Sequence, residues 1–270
     1  MGHFAFDRLA ILGQWAADAP QGCDAVEVWD AAAADYRQAA VPSWDEDPFL
    51  CMVADEVELG RDMSVLDIGC GAGAYSLAFA PRVGRVVGCD FSPAMVEGAR
   101  ARAVEAGVDN VEFCQGDFET LDFGDDRFDL VFAHHTPAIG SGASFEKMAG
   151  LSRDWCFLAR SVHRSDEVLH AARHLAGVPV MADPLDEDML SAMCAVWLGG
   201  GIPVVRRHRE EWHSERPEEQ AVELYSEHLV APYLSDEQKA IVRGFVRSVA
   251  REGVVRETIK TTVFMMGWQV

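Results

Sequence analysis

Residues 65 to 73 read Val-Leu-Asp-Ile-Gly-Cys-Gly-Ala-Gly, and their types and spacing set out a binding chemistry. Gly69, Gly71 and Gly73 alternate through a turn that a ligand can approach closely, because no Cβ stands in the way. Asp67 lies just before them, inside the run Val65, Leu66, Ile68 that reads as a buried parallel strand. A helix is expected at once after the turn, through Ala74, Leu77 and Ala78. Strand, glycine turn and helix form the usual cradle for a nucleotide-like cofactor at a sheet's carboxyl edge. The dinucleotide spacing Gly-x-Gly-x-x-Gly is only partly met, since its last glycine is replaced by Ser76 or Ala74, depending on the starting glycine. A carboxylate at the strand end repels a pyrophosphate but can hold an ammonium group, directly or through water. A cofactor with an amino-acid tail and no phosphate fits better. The competing role for Asp67 is a plain cap on the turn.

With that turn in place, the chain resembles the class I S-adenosylmethionine-dependent methyltransferases, in particular their small-molecule, type 11-like members. The resemblance covers about residues 50 to 160 and continues in order. Arg85 to Asp90 reads as a second strand ending in an acid, 17 residues past Gly73. The resemblance implies that Asp90 takes two ribose hydroxyls, with Phe91 beside it. Ser92 and Pro93 suit the N-cap and first turn of the next helix, and Gly107 suits its stop. Val111 to Asp117 reads as the third strand. Its closing Gly116-Asp117-Phe118 is similar to the family's adenine site, where Asp117 would accept from the exocyclic amine and Phe118 would supply a backbone amide. Phe128 to His135 reads as the fourth strand, beneath the methionine part of the cofactor. The implied cofactor is S-adenosyl-L-methionine.

Methyl transfer from a sulfonium is an in-line displacement, so positioning can supply on the order of 7–11 kcal/mol of the barrier. A base is needed only where the nucleophile must lose a proton. His134 and His135 end the fourth strand at the reactive end and are the catalytic candidates; strand alternation would send only one into the pocket. The other reading makes both loop-edge histidines bonded to backbone carbonyls. The run His-His-Thr-Pro-Ala-Ile has no carboxylate, unlike family members that methylate catechols with a metal, and no metal is expected. It also lacks the Pro-Pro-aromatic pattern of members that methylate amide or base nitrogens. His170 and His174 are four apart on an expected helix, but the zinc-protease signature fails and a solvated face is the simpler reading. Glu211 and His213, with Trp212 and Arg216 near, would touch substrate from the sixth strand. The rest of the charge run from Arg206 to Glu219 reads as solvated surface.

The elements that must hold these residues follow from periodicity. Helices are expected over Val26 to Ala40 and Phe49 to Leu59, then after Asp166, from Pro184, over Pro217 to Val230, and from Asp236 with a Ser235/Gln238 capping box. Further strands are expected at Cys156 to Val162, Ile202 to His213 and Thr258 to Val270. The fold class is α/β: a Rossmann-like, seven-stranded, mostly parallel sheet with helices on both faces and an N-terminal helical lid. A single domain over residues 1 to 270 is expected, with the lid at 1 to 48, the cofactor core at 49 to 165 and the rest of the sheet beyond. Trp29, Tyr36 and Trp44 are candidates for the cover, Tyr36 packing either on the cofactor or in an ordinary core.

Composition narrows the partners. The 270 residues carry a formal charge of −21, which argues against nucleic acid, where binding rests on neutralising phosphates. Residues 1 to 60 hold 12 acids against Arg8 and Arg37, an imbalance that favours neutral or cationic substrates over phosphorylated ones. Seven cysteines without Cys-x-x-Cys spacing fit a reduced, cytoplasmic protein, with Cys70, Cys89 and Cys114 as small core residues. The longest uncharged run, Met189 to Val205, is broken by three glycines and a proline and does not read as a membrane span. These observations point to a methyltransferase for a small molecule. A non-catalytic S-adenosylmethionine-binding or regulatory protein on the same fold is the alternative, and an oxidoreductase on a Rossmann core is disfavoured by Asp67 and Ser76. No motif specifies the accepting atom or the oligomeric state.

Overall fold

The computed structural model describes residues 7–15, 26–178, 184–230 and 234–270. Its centre is a seven-stranded sheet in the order β3-β2-β1-β4-β5-β7-β6. The strands are β1 (Ser64–Ile68), β2 (Arg85–Asp90), β3 (Val111–Gln115), β4 (Phe128–His134), β5 (Ser152–Asp166), β6 (Val204–Pro217) and β7 (Val254–Gln269). β1 to β5 are parallel, and β7 runs antiparallel between β5 and β6. The expected α/β class and mostly parallel sheet are therefore present.

Helices cover both faces because the central strands are apolar on both sides. One face packs under α3 (Pro48–Glu56) and α4 (Ala74–Phe79), through Phe49, Leu50, Met52, Val53 and Phe79. The opposite face packs under α6 (Gly142–Leu151) and α8 (Pro184–Leu198), through Phe145, Met148, Ala192 and Ala195. α5 (Pro93–Glu105) starts as its sequence requires: Ser92 Oγ accepts from Met95 N–H, and Pro93 occupies the first turn. The Ser235/Gln238 capping box likewise opens α10 (Asp236–Val249).

The N-terminal segment divides in two. α1 (Arg8–Gln14) lies against α6 and α8, where Arg8 Nε donates to Ala195 O (3.0 Å) and Trp15 Nε1 donates to Asp188 Oδ1 (2.7 Å). α2 (Val26–Gln38) instead lies along α5 at the sheet's carboxyl edge. Among its described residues, the expected lid over 1 to 48 thus borders the cavity described below only from α2 onward; residues 1–6 and 16–25 of it lie outside the described residues.

The last three strands run longer than their apolar patterns suggest. The outer halves of β6 and β7 carry exposed cross-strand ion pairs, Arg256 with Glu215 (2.8 Å) and Lys260 with Glu211 (3.7 Å); β6 runs on to Pro217, past the expected His213, and its charge run stays largely exposed, as expected. Against this extension pack α7 (Glu167–Leu175), α9 (Glu218–Leu224), a π-helical turn (Tyr225–Leu229) and α10, around Leu169, Ala221, Tyr225, Val242 and Val246. The fully buried Tyr225 phenol lies 3.1 Å from Asp166 Oδ2 and 2.5 Å from Glu257 Oε1.

Phe132 is fully buried at the centre of β4, stacked on Phe79 with centroids 4.9 Å apart and facing Phe49 at 5.6 Å. Phe132→Ala should cost about 3–5 kcal/mol through lost transfer energy and the cavity left behind. Urea unfolding should show a lower midpoint at unchanged slope; an unchanged midpoint would contradict this packing.

Candidate active site

β1, β2 and β4 end at one edge of the sheet, and there a cavity of about 670 Å³ opens. The Gly69-to-Ala72 turn forms its floor, with Asp67, Asp90 and Phe91 beside it. Asp90 is only 9% exposed, and its two oxygens are held separately: Gly71 N–H donates to Oδ2 and Ser92 N–H to Oδ1, each at 2.9 Å. Burial outweighs these amide bonds and holds the carboxyl above the ordinary carboxylate range. Each oxygen keeps a lone pair for a ligand hydroxyl.

Asp67 is 2% exposed, and its Oδ2 accepts from Ser76 Oγ at 2.6 Å. Burial pushes its pKa up to about 7, with the Ser76 bond opposing and the Asp90 charge adding. Ser76, which stands where a dinucleotide site has glycine, is thus the partner of this acid. The glycines divide by role. A Cβ on Gly71, at φ +51°, would point into the cavity toward Tyr36 at 3.6 Å. Gly73 does not line the cavity: a Cβ there would meet Phe113 at 2.9 Å and Ala99 at 3.1 Å, so its expected ligand contact is replaced by packing of the turn on α5 and β3. Gly69 lines the cavity under Thr136.

Two ties bring α2 to this edge. Asp30 Oδ1 accepts from Ser92 Oγ (2.5 Å), joining α2 to the start of α5. Arg102, 8% exposed on α5, donates to Ala72 O (3.1 Å), Tyr36 O (3.3 Å) and Ala39 O (2.8 Å), fastening the end of α2 to the glycine turn. Trp29 and Tyr36 line the cavity edge-on to each other, 6.1 Å apart. Trp44 does not. Its ring packs on Phe79, its Nε1 donates to Ala78 O (2.9 Å), and Arg82 lies over it. Ordinary core packing accounts for Trp44.

At the far end, both His134 and His135 line the cavity, where alternation would admit only one. The reason is backbone geometry: β4 ends at His134, and His135 takes φ +51°, in the left-handed region, so the chain turns and the second ring swings in. Neither histidine relies on a backbone carbonyl. His134 Nε2 lies 3.1 Å from the Tyr75 hydroxyl, which lies 2.9 Å from Asp47 Oδ2; His135 Nδ1 lies 3.2 Å from Ser161 Oγ. Burial lowers the pKa of His134 well below the ordinary imidazole value, and His135 adds to this. Burial also lowers His135, opposed by the charges of Glu210 and Asp47.

The sixth-strand expectation needs its parity corrected. Glu210 and Trp212 line the cavity, while Glu211 and His213 face the other way, 3.9 Å from each other, and Arg216 pairs with the buried Glu257. Tyr75, Asp47, Ser161 and Glu210 had no sequence signal of their own. Asp117 and Phe118 do not line the cavity: Asp117 is exposed and accepts from Glu119 N–H at 2.9 Å, and Phe118 is buried against Phe123. Gly116 N–H donates to Asp90 O at 2.9 Å, so this turn adjoins Asp90 all the same. His170 and His174 are exposed on α7.

The donor set fits a cofactor with an ammonium and hydroxyls. Among the described residues no lysine or arginine lines the cavity, so a pyrophosphate would meet Asp67 and Asp90 without a counter-charge.

A family model described as a methyltransferase domain matches residues 59–228. An uncharacterized methyltransferase of Bacillus subtilis strain 168 is 43% identical over 104 residues, 37% of this chain and 40% of that protein. An aklanonic acid methyltransferase of Streptomyces sp. strain C5 is 43% identical over 75 residues, 27% of this chain and 34% of its own length. The chain thus spans less than half the length of these curated relatives. The crystal structure of the Bacillus protein superposes with a TM-score of 0.50 at 21% identity, covering 81% of this chain and 96% of that one, which shows a shared fold.

Asp67 also generates a test on the protein alone. Its folded pKa is raised from an ordinary 3.8 to about 7, so its favourable contribution is complete below 3.8 and is lost as pH rises through about 7. Asp67→Asn should therefore gain thermal stability relative to the parent between pH 5 and pH 8, levelling off above. A stability difference that does not vary with pH would contradict the buried, hard-to-ionise state.

Proposed function

The chain belongs to the methyltransferase-domain family, and on that premise we propose that it is an S-adenosylmethionine-dependent methyltransferase acting on a small molecule. The observation that carries this reading is the Asp90 carboxylate, held open by two backbone amides beside a glycine turn in a cavity lined by acids. In it Asp90 takes the ribose hydroxyls, and Asp67 takes the ammonium of the methionine end. Gly69 and Gly71 form the floor, Phe91 and Tyr36 flank it, and Gly73 shapes the turn from behind. The exposed Asp117 and the Phe118 amide meet the adenine, supported by the adjoining Gly116–Asp90 bond.

When bound, the cofactor's sulfonium supplies the methyl group. The protein's part is to orient the acceptor and take its proton. Tyr75 has one proton and the Asp47 carboxylate can only accept, so Tyr75 donates to Asp47 and accepts from His134 Nε2–H. Asp47 in turn is fixed as the N-cap of α3, accepting from Phe49 and Leu50 N–H. His134 is thereby locked with its proton on Nε2, in a ring that orients the acceptor. His135 is the proton acceptor: it is the more open of the two, two carboxylates favour its charged form, and Ser161 engages Nδ1, leaving Nε2 for the substrate proton.

The whole chain acts as one methyltransferase domain, with α2 and the segment through Asp47 as its cover. The net charge of −21 and the acid-lined cavity favour a small molecule over nucleic acid. No described helix is long and apolar enough to cross a membrane. The six described cysteines are all free, which supports a cytoplasmic setting.

Titration calorimetry should show binding of S-adenosylmethionine and S-adenosylhomocysteine but not of NAD. Asp90→Ala should weaken both by about 1.5–3 kcal/mol for each bond lost to the charged group. NAD binding alone, or unchanged affinity in the variant, would refute the assignment.

A further inference from the structure

The cavity's acids are not equivalent. On the reading above, Asp67 and Asp90 serve the cofactor. Asp47 is committed to the protein, with one oxygen accepting from two amides of α3 and the other from Tyr75. Glu210 remains. It is half-buried on β6, lines the same cavity, and makes no hydrogen bond or ion pair with any described residue. Of the cations on and beside its strand, Arg206 pairs with Asp55, Arg256 with Glu215, Lys260 with Glu211 and Arg216 with Glu257, while Arg207 and Arg209 alternate onto the face opposite Glu210 and do not line the cavity. Arg160, behind the histidines, is locked to Asp188 (2.6 Å) and to the carbonyls of Thr136 and Ile139. Its charge reaches His135 only at a distance, without an ion pair, so the Glu210 carboxylate can pair with a cationic group of a ligand in the cavity.

The residue two places on, Trp212, has its side chain on the same face of the strand and lines the same wall, 38% exposed, and Trp29 lines the opposite, α2 side. Aromatic faces attract cations through their quadrupole, and a carboxylate beside them adds direct charge pairing.

We propose that Glu210 and Trp212 form the subsite for a protonated amine on the methyl acceptor, so that the substrate is an amine-bearing small molecule. This rests on the methyltransferase reading and narrows it. An ammonium has no lone pair with which to attack a methyl group. The anchored amine is therefore the handle, and the accepting atom is another group of the same molecule, turned toward His135. An acceptor that presents a carboxylate or phosphate to the Glu210 wall is disfavoured by like charge.

Three probes that share one phenol scaffold test this: tyramine (cationic), p-cresol (neutral) and 4-hydroxyphenylacetate (anionic). Their dissociation constants are measured by ligand-observed NMR on the full chain loaded with S-adenosylhomocysteine. Tyramine should bind at least ten-fold tighter than the other two. Glu210→Gln should abolish that preference, Glu210→Asp should retain most of it, and neither should change the affinity for S-adenosylhomocysteine. Absent tyramine binding, equal affinities, or a preference that survives Glu210→Gln would overturn the proposal. S-adenosylhomocysteine is titrated first: its failure to bind strikes the cofactor reading, while the charge ranking of the probes is still read on the protein alone.

Discussion

The site depends on one two-armed interaction, the Asp90 carboxylate accepting from the Gly71 amide through one oxygen and from the Ser92 amide through the other. Through Gly71 it sets the glycine turn that follows β1, and through Ser92 it sets the start of α5. The second tie on Ser92, from Asp30, carries the arrangement to α2, and Arg102 closes the circuit from α5 back to the turn and the end of α2. Four elements distant in sequence are thus registered around a single buried acid. Charge-assisted bonds to backbone amides are stronger than neutral ones, which suits them to this task.

The charge of the cavity gives it chemical selectivity. Acids with no lysine or arginine among the described lining residues suit hydroxyls and ammonium groups better than phosphates. Asp67 shows the same logic: burial and the neighbouring Asp90 make ionisation difficult until a cation arrives. A cationic ligand would favour the charged form of Asp67, so binding and proton release at that acid are coupled. At the opposite end, Asp47, Tyr75 and His134 form a chain in which each proton has a determined place. Rigidity at that end comes from α3, whose N-terminus Asp47 caps.

Much of this was legible in the residues. β2 was readable because an apolar run ends in an acid before a strong N-cap and proline, and Asp67 with the glycines marked the cradle. The parity of β6 was not readable, because an edge strand with charges on both faces carries no hydrophobic alternation to set it. His135 escaped the alternation rule through a left-handed φ that no local motif announced. Tyr75, Asp47 and Arg102 were invisible for another reason. Their partners lie 28, 59 and 63 residues away, and only the folded sheet brings them together. At Gly73 the sequence alone leaves two readings open, since packing on Phe113 and approach of a ligand both require a missing Cβ. Trp44 similarly offered an aromatic ring without saying which side it would face.

The most direct measurement of the central claim is a crystal structure of the protein with S-adenosylhomocysteine. The account predicts both ribose hydroxyls within hydrogen-bond distance of the Asp90 carboxylate, with Gly71 and Ser92 amides still in place, and the ligand's ammonium facing Asp67. A ligand seated elsewhere, or an Asp90 that contacts only the protein's own amides, would contradict it.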